Sequence, residues 1–199
     1  MKGTVGKVGA RRGFLARALF VAAVLLSGGA GAEGEAANAK VAMPILLKVL
    51  TYDQNFESRG FGEFVVLVAS ESAQQAQRDQ VMDVLKSLAV TSIKTRPIKF
   101  VAAEFKDGPS LDAEVQRSKA GAILAVPGLN AAGVGIISDV GQDNQIYTLA
   151  LDASMVEKSI AVGVTQAGGR PQIVINEKAA KALGVKFETS VLKLAKVVQ

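Results

Sequence analysis

The chain has no cysteine, no histidine and no tryptophan among its 199 residues, and only 5% of them are aromatic. Each absence excludes a class of chemistry. Without cysteine there is no disulfide to staple the fold and no thiol nucleophile. Without histidine there is no imidazole base and none of the usual zinc or haem ligand sets. An enzyme built on this sequence would be confined to carboxylates or a Ser–Lys pair, so the composition points away from catalysis and implies no cofactor and no metal. With so few aromatics, the core has to come from Val, Ile, Leu and Ala.

What is present begins with a basic, then apolar, then small-residue segment. Lys2, Lys7, Arg11, Arg12 and Arg17 form a positive stretch with no acidic residue, followed by the apolar run Ala18 to Leu26. That run is too short for a bilayer core, which needs about 20 apolar residues. Ala30-Gly31-Ala32 is an A-x-A signal before Glu33. Residues 1–32 therefore read as a signal peptide cleaved after Ala32, with an uncleaved anchor as the bland alternative. Arg11-Arg12-Gly13-Phe14-Leu15 resembles a twin-arginine signal without the usual Ser or Thr before the pair, which leaves the general secretory route open. The expected address is the periplasm, with no stable membrane insertion after cleavage.

Removing the leader changes the charge argument. The chain carries 23 basic and 18 acidic residues. Five of the basic ones and none of the acidic ones lie in residues 1–32, so the remainder is electrically balanced. The high isoelectric point belongs to the leader, and the body offers no electrostatic footprint for nucleic acid.

Residues 33–41 read as a flexible mature N-terminus, and residues 42–199 as a single domain. Pro44 suits the first turn of a helix whose face is Ile45, Val49, Tyr52 and Phe56. Phe64 to Val68 is an uninterrupted apolar run, as in a strand covered on both faces. Ser72 and Gln75 match a capping box before a helix carrying Val81, Val84, Leu85 and Leu88. Strands follow at Ile98–Phe105, Ala122–Val126 and Ile146–Leu151, with helices at Pro109–Lys119 and Asn130–Val140 between them. This alternation predicts an α/β fold, a mostly parallel sheet covered by helices on both faces. Gln166 to Pro171 then marks an antiparallel C-terminal hairpin between Ser159–Thr165 and Gln172–Ile175. Two closing helices, Asn176–Leu183 and about Thr189–Val198, complete the domain.

Three patterns invite a chemical reading, and each has a plainer one. Ser190 and Lys193 have S-x-x-K spacing, but the partner motifs of that enzyme class are missing. Gly133-Val134-Gly135 lies inside a helix rather than at its entry, which suits close helix packing better than a dinucleotide loop. Asp139, Asp143, Asp152 and Glu157 could supply a carboxylate pair, yet they sit where carboxylates cap and solubilise.

Two surfaces remain as binding candidates. One is the carboxyl edge of the sheet, where open α/β folds leave a crevice; Ser70, Glu71, Pro127, Gly128, Leu129 and Asn130 belong there. The other is the first helix, where Lys48, Tyr52, Asp53, Asn55 and Arg59 gather within three turns. Tyr52 shares the apolar stripe, so a core role is its alternative.

The stretch Ile173-Val174-Ile175-Asn176-Glu177-Lys178-Ala179-Ala180-Lys181-Ala182-Leu183-Gly184, with Leu192-Lys193-Leu194-Ala195-Lys196-Val197 after it, resembles the ending of the YfiR/HmsC-like family of periplasmic proteins. Lys48 to Asn55 resembles the opening helix of one branch of that family. The resemblance implies a non-catalytic α/β domain that docks on the periplasmic part of a membrane-bound diguanylate cyclase, holding it inactive and lowering cyclic di-GMP and biofilm formation. This sequence departs from the family in lacking its cysteines, so a disulfide-controlled release cannot operate, and in lacking the Trp-Pro after the first helix. A histidine kinase is then an alternative partner, and a homodimer stays open. The competing expectation is a small-ligand-binding or sensor module that uses the sheet-edge crevice.

Overall fold

The computed structural model describes residues 29–60 and 62–199, so residues 1–28 of the expected leader lie outside the described residues. The first helix, α1, runs Gly29–Leu50. Alanine-rich chain favours helix intrinsically, and residues 33–41, expected to be flexible, continue straight into it. Pro44 accordingly sits inside α1 and not at its start. The buried side of α1 is Ala39, Ala42, Met43, Leu46, Leu47 and Leu50, whereas Ile45 and Tyr52 are only partly covered. The helix stops at Leu50 because the following amides tighten onto carbonyls three residues back, Thr51 to Lys48 and Asp53 to Leu50. Tyr52 to Asn55 are consequently a turn, and a short 3-10 helix follows at Phe56–Arg59.

Strand β1 (Phe64–Ser70) is buried at every position, as its unbroken apolar run requires. After it come α2 (Gln75–Ser87), the two-residue β2 (Ser92–Ile93), β3 (Arg96–Glu104), α3 (Gly108–Ser118) and β4 (Ala122–Ala125). Next are α4 (Ala131–Asp143), β5 (Tyr147–Ala150), α5 (Ala153–Lys158), β6 (Val162–Ala167) and β7 (Arg170–Asn176). The chain closes with α6 (Glu177–Ala182), the single turn α7 (Thr189–Leu192) and β8 (Lys196–Val198). The sheet order is β2-β3-β1-β4-β5-β6-β7-β8. Strands β3, β1, β4, β5 and β6 are mutually parallel, while β6–β7 is the antiparallel hairpin. Its turn is Gly168-Gly169, both at positive φ, the backbone a two-residue hairpin needs. Helices α1 and α2 pack together on one side, and α3, α4 and α5 form the opposite layer.

Local signals were overruled at three places. The closing helix expected over 189–198 is one turn of helix and then a strand, since β8 pairs in parallel with β7 and the backbone needs of that edge outweigh a weak helical stripe. The Ser72 hydroxyl does not cap α2 and instead donates to Glu104 Oε1 at 2.6 Å. Of the α4 glycines, Gly135 faces open space, while a Cβ at Gly133 would come within 3.3 Å of Glu71 and Leu129. The tightest approach on this helix belongs to Gly141, where a Cβ would fall 2.4 Å from the Thr148 side chain.

Candidate functional site

Because β1 lies between β3 and β4, the chain reverses its direction of travel across the sheet there, and the loops after β1 and β4 part at the carboxyl edge. Such switch points are where open α/β folds hold ligands. The structure brings the expected residues together: Glu71 follows β1, and Pro127, Gly128, Leu129 and Asn130 follow β4. Among them, the Glu71 and Asn130 side chains bond one another. The Asn130 side chain caps α4 by accepting from the Gly133 N–H at 2.9 Å, and it donates to Glu71 Oε2 at 3.4 Å. Gln74 reaches across to the Gly128 carbonyl at 3.3 Å. The Glu71 carboxylate thus rests against the first turn of α4, where the N-terminal amides would otherwise attract an external anion.

The five candidates from the first helix separate. Lys48 is exposed, its ammonium 5.6 Å from the Tyr52 ring centre, while Tyr52 is partly buried against the core. Asp53 turns inward and its side chain is fully buried. It accepts from the Lys186 N–H (2.9 Å), the Asn55 N–H (3.0 Å), the Tyr147 hydroxyl (2.7 Å) and Arg59 Nε (2.7 Å). Arg59 spends its other nitrogens on the carbonyls of Gln145 and Leu183, and Asn55 donates to the Gly184 carbonyl. This cluster ties the turn after α1 to the loop before β5 and to the segment after α6. Burial pushes the Asp53 carboxyl up, but its four donors and the Arg59 charge outweigh that and hold it below the usual carboxylate value. Burial also drives the Tyr147 phenol far up, and the adjacent Asp53 carboxylate adds to the shift. With every lone pair engaged, Asp53 acts as a structural latch, and Arg59, paired with it, also lines the neighbouring surface.

Beside this latch, at the amino edge of the sheet, lies an open cleft of about 650 Å³. Its walls include Arg59, Glu63, Arg96, Gln116, Lys119 and Asn144, over a floor that includes Val65 and Ile146. Arg96 is 91% buried, with 9% of its surface exposed. It donates to the carbonyls of Gly62 and Glu63, each at 3.1 Å, and its guanidinium stacks 5.2 Å from the Phe64 ring centre. Among the described residues it forms no ion pair, and its Nη1 nitrogen has no acceptor. Sequence reasoning missed Arg96, Lys119 and Glu63. Arg96 stands alone before Pro97 at the mouth of a strand, with no motif around it to set it apart.

The remaining sequence patterns do not assemble. The Ser190 hydroxyl bonds Glu188 rather than Lys193. Asp152 caps α5 through the Ser154 amide, and Glu157 pairs with Lys196. Among the described residues no three acidic side chains converge as a metal site, and no helix is long and apolar enough to cross a membrane.

No protein-family model and no curated protein matches the chain. Solved structures do match in fold. An ABC domain in complex with L-Trp from Streptococcus pneumoniae aligns at TM-score 0.56 and 16% identity, over 81% of this chain and 62% of that one. A ligand-free, open substrate-binding protein with adhesive properties from Clostridium difficile aligns at TM-score 0.52 and 16% identity, over 73% of this chain and 58% of that one. A conserved domain protein from Vibrio cholerae aligns at TM-score 0.57 and 16% identity, over 81% and 60%. The chain spans about three fifths of the length of these proteins.

Proposed function

We propose that the chain is a non-enzymatic binding module, exported to the periplasm, that takes a small solute in the cleft at the amino edge of its sheet. The observation that carries this reading is the cleft itself: an open volume of about 650 Å³, within the roughly 300–1,000 Å³ of small-molecule sites, walled by polar groups over an apolar floor. The fold shared with substrate-binding proteins supports it, as does the basic, apolar leader. A thermal-shift screen of metabolites against the purified protein tests it, because a ligand that binds only the folded state raises the melting temperature by mass action. A flat screen would remove the reading.

A second reading keeps the YfiR/HmsC resemblance and has its own observation. Strand β2 pairs with β3 at Arg96 and Pro97, and Thr91 before it accepts from the Ile98 N–H, so that, among the described residues, 99–104 of β3 form an edge available to a partner strand. In this reading the domain docks on the periplasmic part of a membrane-bound diguanylate cyclase or histidine kinase and holds it in one state by differential affinity. Deleting the gene should then change cyclic di-GMP or kinase output. Unchanged output, with no receptor recovered by cross-linking, would count against it.

A further inference from the structure

We infer that the amino-edge cleft is an oxyanion site whose ligand carries a carboxylate or phosphate, an assignment that rests on the small-solute reading above. A guanidinium removed from water is costly unless its charge and all its donors are answered. At Arg96 two donors are answered by carbonyls and the guanidinium lies over the Phe64 and Phe56 rings, while among the described residues the charge has no counter-ion and Nη1 has no acceptor.

The surroundings decide the sign of the guest. Arg59 also lines the cleft, but Asp53 neutralises it. Lys119, at the end of α3, is exposed at the rim with a positive φ and no ion pair among the described residues. Glu63 is the one carboxylate among the wall residues named above, and it too is exposed. Arg96 and Lys119 against Glu63 leave a surplus positive charge. The planar fork of a guanidinium suits carboxylate and phosphate oxygens. Nη1 is shielded in the unliganded form, so the oxyanion reaches it only after a small side-chain shift. The Lys119 ammonium draws the guest in from the rim.

Calorimetric titration of the purified protein with inorganic phosphate, succinate and uncharged succinamide tests the assignment. Phosphate or succinate should bind saturably at millimolar concentration and succinamide should not. Lys119→Glu, an exposed change that leaves the fold intact, should weaken the binding about tenfold or more. Glu63→Gln, also exposed, should tighten it a few-fold. Phosphate and succinate both failing to saturate, or binding Lys119→Glu as well as the parent, would overturn the assignment. A neutral or cationic metabolite that stabilises the protein while both anions fail would overturn it too, yet leave the small-solute reading standing. Failure of every solute would remove both.

Discussion

The two ends of the parallel sheet share one backbone plan and carry opposite arrangements of charge. At the carboxyl edge, the helix N-terminus that could hold an external anion already has one, the Glu71 side chain, braced by Asn130. At the amino edge, a buried arginine has no counter-ion among the described residues and lines an open cleft. At the carboxyl edge the polar groups answer one another, and at the amino edge one of them is left without a partner among the described residues. Topology alone would have chosen the other edge. The proposed site therefore follows the polar groups that the fold leaves unanswered rather than the edge that topology favours.

The change expected to disturb this contrast most is Asp53→Ala, which strands the Tyr147 hydroxyl and the Arg59 guanidinium beside the cleft. Removing one partner of a buried pair costs about 3–5 kcal/mol, read as a lower denaturation midpoint in urea. A stability loss below about 1 kcal/mol would show that the amino edge is not held by this latch. The pH dependence follows in sign. The Asp53 carboxyl titrates lower in the fold than in the open chain, so its stabilisation is present above the ordinary value near 4 and fades as pH falls through the lower folded value. Acid unfolding should begin below about pH 4 in the parent, and Asp53→Asn should flatten that slope while lowering stability at neutral pH. A parent and a variant with the same acid slope would refute the assignment.

Smaller changes act on the carboxyl edge. Glu71→Gln should cost at most about 1 kcal/mol and unblock the start of α4, so that phosphate gains a weak second site in calorimetry. An unchanged stoichiometry would mean that Glu71 is not what closes that edge. Gly135→Ala, on the helix that joins the two edges and with open space for its Cβ, should stabilise by about 0.5–1 kcal/mol without altering phosphate affinity. A shift in affinity would show that α4 couples the edges.

Much of the fold was legible because burial imposes a pattern. The apolar runs at Phe64–Val68 and Ala122–Val126, and the Gly168-Gly169 turn, have few alternatives once a core must form. The ends of the domain were not legible. Thr189 to Val198 carries a helical stripe, and only the open edge of β7 draws its last residues into a strand. The alanine-rich stretch before Pro44 looks like loose chain until Ala39, Ala42 and Met43 find a surface to cover.

The candidate site divides in the same way. Composition by itself settled that this chain has neither imidazole nor thiol chemistry, and that its core is aliphatic, because those are properties of a list of residues. It also brought Pro127, Gly128 and Asn130 together, since they belong to one loop. That Asp53 is a latch, that Glu71 rests against the start of α4 and that Arg96 has no counter-ion among the described residues was decided only by tertiary structure. A charge is free or answered according to which distant groups reach it, and the partners of Asp53 come from Tyr147 and Lys186, which are far away along the chain.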